Sequence, residues 1–174
     1  MERILQIALL GNPVLYNKAK EINDVNLELD LISDMKTTVV DANGVGLAAP
    51  QVYQSKRLFL IASRPNIRYP NAPEMKATAI INPKIIWQSD EIVKDWEGCL
   101  SIPGLRGFVP RFKSVKAEYI DENGEIQIKT FDDFLARIFQ HEFDHLEGIL
   151  FLDRVDSTKD LLSEKEYAAQ IINK

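Results

Sequence analysis

Residues 141–145 read His-Glu-Phe-Asp-His, and these two histidines are the only ones in the 174-residue chain. Side chains four positions apart on an α-helix leave the same face about one turn apart, so two imidazoles at this spacing can chelate one metal ion. Random placement would set two histidines four apart in about one sequence in a hundred, so accident is the weaker reading. Glu142 points to an adjacent part of the helix surface, where it can reach a water on the ion without being a ligand, and is the natural general base. Phe134 and Ile138 continue the histidine stripe and turn it inward. The helix is expected from Asp132 or Asp133, either of which can cap it, to about Glu147, with Gly148 closing it.

Hydrolytic zinc or iron sites typically use three protein ligands and keep a fourth position for water, so a third ligand must come from elsewhere. The single cysteine, Cys99, lies in Glu97-Gly98-Cys99-Leu100-Ser101, after a strand-like run and before Pro103-Gly104. A lone cysteine is by default a small buried apolar side chain. Beside a two-histidine helix, the ligand reading overtakes that default. A third segment, Gly44-Val45-Gly46-Leu47-Ala48-Ala49-Pro50-Gln51, leaves its backbone bare on one side, so an extended chain could pair with it. Helix termination at Gly44 and close packing of small residues account for the same composition. Gln51 carries an amide donor able to serve an oxyanion.

No repeat or linker divides the chain, and 45% apolar with 27% charged residues matches one globular core, so residues 1–174 are read as a single domain. Asn23 and Asp24 offer caps for a first helix running to about Ala42, with Leu27, Leu31, Met35 and Val39 as its apolar stripe. Short strand-like runs follow over 46–52, 57–62, 77–87, 91–96, 114–120 and 125–130, the last two joined by Asn123-Gly124, a strong hairpin signal. A surface loop is expected over Ser63 to Pro73, and a third amphipathic helix over about 158–172. Strands in the middle with helices before and after argue for α+β: small, mixed, mostly antiparallel sheets packed around a central metal-binding helix, with an N-terminal and a C-terminal helix.

The charge balance of 21 Lys and Arg against 26 Asp and Glu gives −5 and a pI near 5.1, the wrong sign for whole-surface nucleic-acid binding. No run of 18 apolar residues suggests a membrane span, and one cysteine points to a reducing cytoplasm.

Taken in order, the three segments closely resemble the motifs of the peptide deformylases, and the similarity extends from residue 4 to about 155. The resemblance implies that Cys99, His141 and His145 bind one divalent ion per chain, Fe²⁺ in the cell, with Zn²⁺, Ni²⁺ or Co²⁺ as substitutes in purified protein. It implies Glu142 as general acid and base, and Gln51 with the backbone N–H of Leu100 as oxyanion donors. The implied reaction removes the formyl group from N-formylmethionyl nascent peptides in the cytoplasm as formate, with water on the ion as nucleophile.

By the same resemblance, a methionine pocket maps onto Phe134, Ile138 and Val45, and the peptide would add as a strand along Gly44, Val45, Gly46 and the segment near Gly104. Glu97 and Arg106 are either a pair supporting the site from behind or a surface salt bridge worth little. Asp144 either orients a ligand imidazole or faces solvent. Asp133 stands where the family pattern has glycine. Ribosome-docking C-terminal extensions in the family are basic, whereas residues 157–174 set Lys159, Lys165 and Lys174 against Asp160, Glu164 and Glu166. This mixed charge speaks against ribosome docking through that helix.

Two competing readings are weaker. A metallopeptidase of the gluzincin or metzincin kind places its third ligand downstream of the second histidine, and no histidine follows His145. A closed structural metal site needs a fourth protein ligand, which only a carboxylate could supply.

Overall fold

The computed structural model describes residues 3–66 and 69–172. Among the described residues, eight strands form two sheets in which every strand pairing is antiparallel. The larger has the order β1 (Gly46–Ala48), β2 (Leu58–Ile61), β3 (Thr78–Gln88), β6 (Ser114–Ile120) and β7 (Ile126–Asp132). The smaller joins β4 (Ile92–Cys99), β5 (Ile102–Phe112) and β8 (Leu161–Ser163). Three α-helices among the described residues, α1 (Leu29–Asp41), α2 (Asp133–Leu146) and the short α3 (Glu164–Tyr167), complete an α+β fold.

Strand β2 explains the layering. Its four residues are all buried, as expected for a strand covered on both faces. Leu58 and Leu60 join Ile32, Met35 and Val39 of α1 in one cluster, while Phe59 and Ile61 join Ala136, Ile138 and Phe139 of α2 in another. Phe139 packs edge-on against Phe59 at 5.2 Å and with tilted rings against Phe131 at 5.0 Å. Each such buried ring contributes about 1.5–3 kcal/mol. On its other side α2 is fastened to the smaller sheet by polar side chains. Gln140 exchanges two hydrogen bonds with the Phe112 backbone, at 3.0 and 2.8 Å. Arg137 donates to the carbonyls of Val109 and Val93. The metal-motif helix therefore lies between the two sheets.

Several expectations change. The first helix is preceded by a 3₁₀ turn, Val25–Glu28, capped by Asp24, and Leu27 is 78% exposed rather than part of the inward stripe. Strand β5 was hidden by Pro103, Gly104, Gly107 and Pro110. Only Leu105 to Gly107 pair with β8, so both prolines lie outside that stretch and neither is flanked by partner strands on both sides. The 158–172 region is not one helix: a 3₁₀ turn, β8, α3 and a π-turn over Ala168–Ile172 succeed one another. The 46–52 run is strand only to Ala48 and continues as a 3₁₀ turn. The Asn123-Gly124 hairpin forms, with five residues, 121–125, between the strands and Gly124 at φ +81°. Asp132 occupies the cap position of α2, but its carboxylate accepts from the Ser114 hydroxyl at 2.6 Å, and Asp133 takes the left-handed conformation at φ +49°. Lys174 and, within the Ser63 to Pro73 loop, Ile67 and Arg68 lie outside the described residues.

Candidate metal centre

His141 and His145 leave α2 on one face, with ring centroids 5.1 Å apart. Cys99 arrives from the end of β4, where a register irregularity between Glu97 and Cys99 and the turn into β5 aim the thiol at the helix. Its Sγ lies 3.3 Å from His145 Nε2, and the three candidate ligand atoms all fall within 4.8 Å of one another. All three residues are buried. Thiolate and imidazole together form a donor set suited to a borderline or soft divalent ion.

The electrostatics also favour a cation. Burial opposes charge on His141, but Cys99 and Glu97 beside it raise its pKa well above the ordinary imidazole value. The same groups would stabilise the positive charge of a metal. Burial, with charged His141 and Arg111 nearby, lowers His145 well below its ordinary value, keeping its ring neutral as a ligand must be. Among the described residues, no other group of three or more His, Cys, Asp or Glu side chains forms such a cluster.

Glu142 is buried beside this triad, and its Oε2 has no hydrogen-bond partner. Burial pushes its carboxyl up to about 7, the range in which a group both takes and returns a proton near neutral pH. Its other oxygen rests on Gly46, where a Cβ would lie only 2.5 Å from Oε1, so any side chain at this position would displace the carboxylate. Gln51 is fixed from both ends of its amide: Oε1 accepts from Ala48 N–H at 2.8 Å, and Nε2 donates to Ser101 Oγ at 3.1 Å and faces Cys99 Sγ at 3.5 Å. A cavity of about 30 Å³ collects Gly44, Val45, Gly46, Gln51, Leu100 and Glu142 beside Cys99 and His141. A second of the same volume, adjoining it through His141 and Glu142, is walled by Val45, Phe134 and Ile138.

Residues 4–161 match a family model described as Polypeptide deformylase. The chain belongs to the peptide deformylase family. Peptide deformylase 2 of Nostoc sp. is 57% identical over 167 residues, covering 94% of this chain and 93% of that protein. A solved class I type b peptide deformylase from Acinetobacter baumannii, bound to Met-Ala-Ser, superposes with a TM-score of 0.85 at 46% identity, covering 89% of this chain and all of that one. The actinonin complex of a Synechococcus elongatus peptide deformylase gives a TM-score of 0.80 at 40% identity, covering 90% of this chain and 81% of that one.

Within this deformylase the expected Glu97 and Arg106 pair does not form. Glu97 instead accepts from Arg111 Nε at 2.8 Å, from Arg137 at 2.9 Å and meets His141 Nδ1 at 2.9 Å. Burial alone would raise the Glu97 pKa, but Arg111 and His141 hold it far below the ordinary carboxylate range. Arg106 points elsewhere, to Glu164 and Tyr69. Asp144 neither orients an imidazole nor faces solvent: it is buried between Arg111 and Arg154, at 2.6 and 2.7 Å. Gly104 sits exposed near the start of β5 and lines neither cavity.

Three residues of this deformylase's site escaped the sequence reading. Arg137 stands four positions before His141 and seven before Asp144 on one helix face, a spacing visible in the sequence. Arg111 gave no comparable signal. Tyr69, the only aromatic in the Ser63 to Pro73 loop, lines both cavities.

Proposed function

We propose that residues 1–174 act as one catalytic unit that hydrolyses the formyl amide of N-formylmethionyl peptides in the cytoplasm, yielding formate and a free amino terminus. The observation that carries this reading is the buried Glu142 carboxylate, with one unpartnered oxygen, held beside Cys99, His141 and His145. Those three residues would hold one divalent ion, which supplies Lewis acidity toward water and the formyl carbonyl. Fe²⁺ is proposed as the ion in the cell. Zn²⁺, Ni²⁺ or Co²⁺ would replace it in purified protein, since this donor set binds them at least as tightly.

Glu142 accepts a proton from the attacking water and delivers it to the departing amine nitrogen, for which a pKa near neutrality suits it. The Gln51 amide and the Leu100 N–H stabilise negative charge as it grows on the formyl oxygen. Fixing both ends of Gln51 in advance means little reorganisation is needed when that charge appears. Val45, Phe134 and Ile138 take the methionine side chain, and Gly44 to Gly46 offer backbone to which the peptide adds as a strand. Docking of the ribosome through the C-terminal segment is not proposed, because its charges are mixed and Glu164 is engaged with Arg106.

Formate release from formyl-Met-Ala-Ser tests the reading. The wild type should turn over this peptide and leave acetyl-Met-Ala-Ser intact. Glu142→Gln should keep its metal and lose activity by about 10²–10⁴-fold. Equal rates on the two peptides, or full turnover by Glu142→Gln, would refute it.

A further inference from the structure

Arg106 is a guanidinium with only 2% of its surface exposed, an arrangement that is costly unless its charge is answered. Four groups answer it. Glu164 accepts from Nη2 at 2.9 Å and the Tyr69 hydroxyl accepts from Nη1 at 3.1 Å. The rings of Tyr69 and Tyr167 cover the guanidinium at 5.2 and 5.0 Å. Two of the four come from the C-terminal segment, which β8 seats by pairing Leu162 with Arg106 itself. Ser163 then caps α3 by accepting from Glu166 N–H.

Tyr69 carries this arrangement into the substrate pocket. Its hydroxyl also accepts from Gly98 N–H at 3.3 Å, one residue before the thiol ligand, and its ring packs on Phe134 at 5.3 Å. Strand β4 and α2 supply rigid walls to the same cavity, whereas Tyr69 comes from a loop and needs an external support. At about 30 Å³ the cavity holds one or two waters, so the position of this wall decides how a methionine side chain fits. Tyr167 adds a second contact to the pocket through Trp96, 5.5 Å from its ring.

We propose that the C-terminal segment is a working part of the methionine pocket: Tyr167 and Glu164 fix Arg106, Arg106 fixes Tyr69, and Tyr69 sets the wall facing Phe134 and Ile138. Tyr167, Glu164 and Arg106 are positioning residues, and Tyr69 determines specificity. The proposal rests on the deformylase reading for its substrate. A tail that merely covers surface would affect stability alone, whereas this linkage affects substrate selection with the chemistry intact.

The test uses metal-loaded full-length protein with formyl-Met-Ala-Ser and formyl-Ala-Ala-Ser. Tyr167→Ala should raise KM for the methionine peptide about tenfold and lower the Met over Ala preference by a similar factor, with kcat within about twofold of wild type. Tyr167→Phe keeps the ring face and should restore wild-type values. Adding Tyr167→Ala to Tyr69→Ala should change KM no further, because both act through one wall. Glu164→Gln, at a half-exposed position that tolerates the change, should raise KM about threefold and keeps the test open if Tyr167→Ala fails to fold. A wild type that turns over while Tyr167→Ala, or Glu164→Gln in its place, keeps its KM and preference overturns this proposal alone. Additive effects of the Tyr69 and Tyr167 changes do the same. A wild type that releases no formate overturns the deformylase reading, and this proposal with it.

Discussion

Gly46→Ala separates the proton-transfer group from the metal ligands more cleanly than a change at either. A Cβ at position 46 would lie 2.5 Å from Glu142 Oε1 and 2.9 Å from Cδ and Cγ, where ordinary contact begins at 3.4 Å. The carboxylate must therefore retreat by about 0.9 Å, the difference between 3.4 and 2.5. Gly46 is not among the glycines with positive φ, so alanine adds no backbone strain. The clashing group is the end of a side chain, and overpacking of this kind costs about 1–3 kcal/mol, within the stability of an ordinary domain. Proton transfer tolerates much less, since a displacement of about 1 Å can cost about 100-fold in rate. The three nearest atoms to the new Cβ all belong to Glu142, so the ligand set should keep its ion. Gly46→Ala should thus fold, retain a wild-type metal content, and lose about 100-fold in kcat for formate release. The assay pairs steady-state kinetics with metal analysis and a thermal melt. Turnover within a few-fold of wild type by folded, metal-loaded protein would refute the role given to Glu142. Loss of the ion would refute the claim that this contact leaves the ligands untouched.

Cys99→Ser should weaken metal retention, measured as metal content after dialysis against a chelator, because a serine hydroxyl does not replace a thiolate; unchanged content would disqualify Cys99 as a ligand. Glu97→Gln should lower metal affinity by about 10–100-fold in a chelator competition, since His141 Nδ1 loses its charged partner. It should also destabilise the fold by up to about 3–5 kcal/mol in denaturant melts, since Arg111 and Arg137 lose a buried countercharge. Glu147 gives a pH signature: burial raises its pKa, but hydrogen bonds from Arg57 and Lys18 bring the net value below the reference of 4.5. A depressed folded pKa stabilises above the unfolded value and is lost as pH falls through the folded one. Glu147→Gln should therefore be less stable than wild type by about 1 kcal/mol at pH 7 and converge with it toward pH 3; a gap unchanged with pH would contradict this.

The sequence disclosed the site better than the frame around it because helical spacing fixes direction. His141, Glu142 and His145 could be placed relative to one another from 3.6-residue periodicity alone. Cys99 was reached by composition, as the remaining soft donor in the chain. Strand β5 was missed because its prolines and glycines erase the alternation that marks a strand, although its pairing tolerates them at those positions. The Glu97 partner was misassigned for a different reason. Arg106 and Arg111 are both on β5 and both buried, but the first turns to the C-terminal segment and the second to α2. Which face a strand residue takes depends on register, and register becomes visible only when the partner strand is in place.

The buried polar groups around α2 explain how ligand atoms from two separate elements come within 4.8 Å of one another. Apolar packing on the Phe139 side fixes the depth of α2 against the larger sheet but leaves sliding along its axis comparatively cheap. Arg137, Gln140 and His141 remove that freedom by bonding to Val109 and Val93, Phe112, and Glu97 on the opposite sheet. Arg111 ties Glu97 to Asp144, and Arg154 closes the chain of charges behind them. Each of these contacts spans α2 and the strand pair that delivers Cys99, or binds together the groups that do. The charges are retained at the cost of desolvation because a purely apolar interface would specify contact area without specifying axial register, and a three-ligand site needs the register.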